Sequence, residues 1–192
     1  MSGIKTIALA GVGNIGQYFV DHLVSEQKAG KLSKVIVFSR AVRIHAPSLE
    51  QQLIFHQSSK GSEANSKLEA QGATVALVDY DSQDSLTSAL TGVDAVISTL
   101  PVPGLLSQIT IAKAAKAAGV KLFIPSEFGG ATEGEYPPGS HLGLKVQVRK
   151  ELKDIGIPHV WFYTGPYPDF CLTPCVLHTI RCYDYAELNV LM

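Results

Sequence analysis

Ile4-Lys5-Thr6-Ile7-Ala8-Leu9-Ala10-Gly11-Val12-Gly13-Asn14-Ile15-Gly16 is the stretch that decides how this chain folds. Ile4 to Ala10 is a compact, largely apolar run that stops at glycines, which is the pattern of a strand. Ile15, Phe19 and Leu23 then recur every fourth residue, which predicts one buried face of a helix running to Gly30. Between the two elements lies Gly11-x-Gly13-x-x-Gly16, in the strand-to-helix context that a phosphate-binding turn requires. Gly11 permits the tight turn, Gly13 lets a diphosphate approach the backbone, and Gly16 lets helix and strand pack closely. Asn14 and Ile15 complete the turn, and the amides of the helix N-terminus, at its positive dipole end, face the phosphates. The competing reading is a glycine-rich turn without a ligand; the strand before and the helix after it favour the phosphate.

Outward from this turn the chain keeps alternating. Strands are expected at Val35–Phe38, Thr74–Val78, Asp94–Ser98, Lys121–Ile124 and His159–Tyr163. Helices are expected around Leu68 up to Gly72, over Ser85–Leu90, over Leu105–Ala118 before Gly119, and after a Ser140 cap. The last of these carries an apolar stripe of Leu144, Val148, Leu152 and Ile155 and ends at Gly156. Repeated strand–helix alternation has one economical solution, a doubly wound parallel sheet of the Rossmann-like α/β class with helices on both faces. Ligands of such sheets bind beyond the carboxyl ends of the strands. Residues 41–60, with Pro47 and Leu53-Ile54-Phe55, and the stretch after Asp169 show no clear period.

Bulk properties exclude several classes. A chain of 192 residues with 46% hydrophobic and 17% charged residues folds as an ordinary globular domain. A net charge of -1 without a basic run argues against a nucleic-acid partner. No apolar stretch reaches the ~18–20 residues that span a bilayer, and the N-terminus lacks signal-peptide features, so no membrane is expected and the compartment is read as cytoplasmic. The three cysteines, Cys171, Cys175 and Cys182, are read as reduced thiols. With His178 they share helical spacing, but Pro174 interrupts it, and no metal is expected.

The end of the second strand selects the cofactor. An acidic residue there accepts from the ribose of NAD, whereas this strand ends in Ser39-Arg40 with no carboxylate before Glu50. The Arg40 guanidinium can fork onto a 2′-phosphate and Ser39 can donate to it, so the pair reads as a preference for NADP (NADPH) over a merely solvated arginine.

The glycine turn, Phe38-Ser39-Arg40, Asp94-Ala95-Val96-Ile97-Ser98-Thr99 and Phe123-Ile124-Pro125-Ser126-Glu127-Phe128-Gly129 occur in that order. Together they resemble the NmrA-like, isoflavone reductase-like family of atypical short-chain dehydrogenases, over about residues 4 to 168. The resemblance implies an NADP-binding domain over residues 1–168, an irregular tail over 169–192, and truncation of the C-terminal part that walls the substrate pocket. Reductases of that family carry a lysine on the helix after the Pro-Ser-Glu-Phe-Gly sequence and an arginine one turn later, a pattern matched by Lys145 and Arg149. The resemblance makes Lys145 the residue that orients the nicotinamide ribose and donates or relays a proton, while Arg149 and desolvation lower its pKa. His141, one turn before Lys145, either assists proton transfer or is an ordinary partly buried histidine.

Thr99, Leu100 and Pro101 are expected against the cofactor's central ribose or nicotinamide. Asp79 is expected near adenine or as a helix cap, and Lys60 as a second phosphate-binding lysine. Glu127 and Phe128 either shape the substrate mouth or rigidify their loop. The implied activity is an NADPH-dependent reductase acting on a small aromatic or carbonyl-conjugated molecule. The alternatives are a redox-sensing regulator that binds the dinucleotide and a protein partner without turnover, and an inactive truncated member.

Overall fold

A computed structural model describes residues 3–40, 63–165 and 167. Five parallel strands, β1 (Thr6–Ala10), β2 (Lys34–Arg40), β3 (Thr74–Val78), β4 (Ala95–Ser98) and β5 (Leu122–Ile124), form one sheet in the order β3-β2-β1-β4-β5. The order reverses between β1 and β4, and this switch point opens a crevice at their carboxyl ends. Five helices flank the sheet among the described residues: α1 (Gly16–Lys28), α2 (Glu63–Gln71), α3 (Gln83–Ala89), α4 (Ser107–Ala117) and α5 (His141–Ile155). A single 3₁₀ turn, Val102–Gly104, leads into α4.

The central strands β1 and β4 and the middle of β2 are buried on both faces and apolar, whereas β3 is only partly buried, and alternate residues feed opposite layers. Ala8, Ala10, Ile36, Phe38, Val96 and Phe123 pack with Leu86, Ile111, Ala115, Val148 and Leu152 of α3, α4 and α5. Ile7, Leu9, Val35, Val37 and Ile97 pack with Val20, Leu23 and Val24 of α1 on the other side. Each fully buried aliphatic side chain contributes about 1.5–3 kcal/mol. The buried side of α1 is Gly16, Val20, Leu23 and Val24, rotated from the Ile15-Phe19-Leu23 stripe. Phe19 is half-buried, packing on the margin of this core layer beside Phe128, 5.3 Å between ring centroids.

The ends of α5 are as its sequence predicts. Ser140 Oγ accepts from Gly143 N at 3.1 Å, and Gly156 takes φ 67°, the left-handed closure that glycine supplies without strain. Lys116 then donates to the carbonyls of Ile155 and Gly156 at 2.8 and 2.9 Å, neutralising the negative end of the helix.

The expected strand at His159–Tyr163 is reduced to one parallel bridge, Phe123 to His159. Phe123 N donates to Pro158 O at 2.8 Å and Val160 N donates to Phe123 O at 3.2 Å. The next rung of a parallel ladder would need an N–H from residue 125, which is proline, so the pairing stops there.

Candidate functional site

At the crevice, each glycine of the first turn meets a different constraint. Gly11 has φ 101°, and a Cβ placed on it would sit 3.0 Å from the backbone carbonyl of Thr99. A Cβ on Gly16 would overlap the Gly11 carbonyl oxygen and lie 2.6 Å from Thr99 Oγ1. The fold itself requires these two. A Cβ on Gly13 would meet nothing within 4 Å, so the space in front of it is open.

Thr99, directly after β4, fixes the turn across the switch point. Its N–H donates to Ala10 O at 2.8 Å and its hydroxyl to Gly11 O at 2.6 Å. Asn14 is exposed and Ile15 half-buried, and no side chain caps the start of α1. With no acidic residue in the first turn and no side-chain cap among the described residues, the positive end of this helix is left to its own amides.

A cavity of about 440 Å³ runs from this turn to the ends of β2 and β3. Gly11, Val12, Ser39, Arg40 and Leu100 line it, together with Asn65 and Lys67 of α2. Tyr80 lines it too, and the sequence reading missed this residue. The Arg40 guanidinium lies over the Tyr80 ring, 5.4 Å from its centroid. Burial pushes the Tyr80 phenol up to about 12 against the opposing pull of Arg40, so it is uncharged at neutral pH. The one available signal was its position, two residues past the end of β3 and beside Asp79.

Asp79 itself shapes the turn into α3. Its carboxylate accepts from Asp81 N at 3.0 Å, and its own N–H donates to Ser85 Oγ at 3.2 Å. Lys60 lies outside the described residues.

The loop after β5 links the crevice to α5. Ser126 Oγ donates to Leu100 O at 2.9 Å, and Ser126 N donates to the buried Gln108 Oε1 at 2.8 Å. Phe128 reaches Phe19 of α1. Glu127 points inward and is 2% exposed. Pro101 is exposed at the start of the 3₁₀ turn.

Lys145, 8% exposed, donates to Glu127 O at 2.5 Å, with Glu127 Oε2 at 3.6 Å. Glu127 Oε1 accepts from Thr132 Oγ1 at 3.2 Å, whereas Oε2 is buried without a hydrogen-bond partner. Arg149 donates to Thr132 O at 2.9 Å and stacks over Trp161, 5.1 Å from the ring centroid.

Burial lowers the pKa of Lys145, and the carboxylate of Glu127 opposes that shift. Arg149, expected to lower it, acts instead as the clamp on Thr132. Burial raises the Glu127 carboxyl, against the pull of Lys145, Thr132 and Arg149. His141 is exposed at the head of α5, and partial burial followed by the Lys145 charge lowers its pKa. The buried Lys145–Glu127 pair was not legible in the sequence, where Glu127 reads as a residue that shapes the substrate mouth or rigidifies its loop.

Among the described residues, no three His, Cys, Asp or Glu side chains are grouped to hold a metal ion, and no helix is long and apolar enough to cross a membrane. Cys171, Cys175, His178 and Cys182 lie outside the described residues, as does the irregular tail from 169.

Comparison with known proteins agrees with this architecture. The chain is 31% identical over 172 residues to "Isoflavone reductase homolog A622-like" of Nicotiana tabacum, covering 88% of this chain and 50% of the relative. It is 31% identical over 176 residues to "Isoflavone reductase homolog P3" of Arabidopsis thaliana, covering 90% and 51%. The binary complex of leucoanthocyanidin reductase with NADPH from Vitis vinifera superposes with a TM-score of 0.60 at 27% identity, over 82% of this chain and 49% of that one. The chain thus spans about half the length of the curated relatives it matches. The NmrA-like family profile matches residues 4–178, and with the Rossmann-like sheet, the glycine turn and these isoflavone reductase homologs beside it, the chain belongs to the NmrA-like, isoflavone reductase-like family.

Proposed function

We propose that this chain binds NADP(H) in the crevice at the β1/β4 switch point and serves as an NADPH-dependent reductase of a small aromatic or carbonyl-conjugated molecule. The observation that carries the proposal is the open space at Gly13, next in the chain to Gly11 and Val12, which line a cavity that Arg40 also lines. Gly11 and Gly16 are glycines for reasons internal to the fold. Gly13 is not, and the room left before it suits a diphosphate on the amides of α1. Gly11, Gly13, Asn14, Ile15 and Gly16 would hold that diphosphate, and Ser39 with Arg40 the 2′-phosphate. Leu100, beside Thr99, supplies an apolar wall toward the ribose and nicotinamide.

When bound, the dinucleotide supplies hydride. The remaining chemistry belongs to the chain. Lys145 is assigned as the proton donor or relay from its match to the family's lysine, and burial, which lowers the pKa of its ammonium against the pull of Glu127, is consistent with that role. The Glu127 carbonyl oxygen fixes the direction of Lys145 Nζ, and Thr132 with Arg149 holds the Glu127 carboxyl in place. Phe128, packed on Phe19, ties the loop carrying Glu127 to the helix that faces the phosphates.

The test pairs binding with turnover. Lys145→Ala should remove NADPH oxidation against a panel of aromatic and conjugated carbonyl compounds while NADPH binding persists. Wild-type protein that binds NADPH but oxidises none across the panel would overturn the reductase reading in favour of a dinucleotide-sensing regulator or an inactive truncated member. Undiminished oxidation by the variant would remove Lys145 from the chemistry.

A further inference from the structure

Arg40 is exposed at the end of β2, yet its guanidinium has neighbours on the protein side. One face of its guanidinium lies over the ring of Tyr80, and a Cβ placed on Gly104 would come within 3.8 Å of Arg40 Nη2. The side chain that closes β2 therefore lies between Tyr80, two residues past β3, and the 3₁₀ turn following β4. Tyr80 is 6% exposed and packed among Phe38, Val78, Leu86 and Leu100, so its ring is a fixed surface and not a mobile neighbour. Its hydroxyl remains uncharged across the physiological range, so the platform adds no competing anion.

A free arginine has many rotamers, and ordering it on a ligand costs entropy at each binding event. A guanidinium already resting on an aromatic face has met part of that cost before the ligand arrives. Its edge donors stay available, because stacking occupies the face and not the N–H groups. Tyr80, Arg40 and Ser39 all line the same cavity wall, so the donors held in this way border the space the proposed cofactor would fill.

We propose that Tyr80 is a specificity-determining residue for the dinucleotide: its ring positions Arg40 to receive a 2′-phosphate and thereby sets the preference for NADPH over NADH. This rests on the NADP(H) reading above. Tyr80 acts through Arg40 and is a positioning residue.

The experiment measures the ratio of NADPH to NADH affinity by calorimetric titration of the full chain carrying Tyr80→Phe, Tyr80→Leu and Arg40→Ala. Tyr80→Phe keeps the platform and should keep the wild-type ratio. Tyr80→Leu removes the aromatic face, and the ratio should fall by roughly two- to five-fold, the order expected for a cation–π contact at an exposed arginine. In the Arg40→Ala background, Tyr80→Leu should change the ratio no further. A Tyr80→Leu protein with the wild-type ratio overturns the role given to Tyr80 and leaves the NADP(H) reading standing. Wild-type protein without a preference overturns both. If leucine prevents folding, the unaltered chain decides: Arg40 side-chain protons shifted upfield by the ring current of Tyr80 support the proposal, and unshifted positions overturn it.

Discussion

Replacing Gly13 and Gly16 separately by alanine should divide binding from folding. The Gly16 methyl would overlap the Gly11 carbonyl oxygen and approach Thr99 Oγ1 to 2.6 Å, so either β1 and α1 separate or Thr99 rotates away. Overpacking of this kind costs about 1–3 kcal/mol. Loss of the hydrogen bond from Thr99 Oγ1 to Gly11 O adds about 1 kcal/mol. A total of about 2–4 kcal/mol lowers the melting temperature of a domain this size by on the order of 5–15 °C.

The Gly13 methyl meets no protein atom within 4 Å, and Gly13 is not among the positive-φ glycines. Its unfolded chain loses freedom, so Gly13→Ala should match wild type in stability or exceed it by about 0.4–1 kcal/mol. The same methyl projects into the space assigned to the diphosphate, and NADPH affinity should drop at least about ten-fold, a cost of ~1.4 kcal/mol. Thermal melts and fluorescence titrations on the two variants read both quantities. A Gly13→Ala protein that melts normally and binds NADPH like wild type refutes the reasoning, because the open space would then hold something else.

Two further outcomes test the frame around the site. Asp94 accepts from the amides of Lys5 and Thr6 and from Lys121 Nζ, which holds its carboxyl down at about 2. A depressed carboxylate stabilises the fold above its unfolded pKa, and that contribution is lost as pH falls through the folded value. Melting temperature should therefore decline from pH ~4 to ~2, and Asp94→Asn should flatten that decline. Leu152 is fully buried on α5, and Leu152→Ala should cost about 2–5 kcal/mol, read as a lower urea midpoint at unchanged slope.

The glycine turn was legible in the sequence because its constraints are local: a strand, three glycines and a helix within a few residues of one another. The doubly wound sheet followed from the same alternation. The His159–Tyr163 strand failed for a reason also present in the sequence, since Pro125 cannot donate to the next rung, but only the pairing with β5 makes that proline matter. Tyr80 and the Lys145–Glu127 pair were illegible for a different reason. Tyr80 meets Arg40 at the carboxyl ends of the neighbouring strands β2 and β3, and Lys145 meets Glu127 across 18 residues, so burial and partner come from tertiary packing and no periodicity encodes them. Phe19 shows the same limit: its spacing fits the core stripe, yet it is only half-buried and its ring contact is with Phe128, over a hundred residues away in the chain.

The most direct test of the central claim is a parallel titration of the purified full chain with NADPH and NADH. A diphosphate on the α1 amides with Arg40 on the cavity wall predicts binding of both and clearly tighter binding of NADPH, with Arg40→Ala erasing the difference. Equal affinities, or a difference that survives Arg40→Ala, would contradict the role of Arg40. Failure to bind either nucleotide would contradict the crevice as a cofactor site.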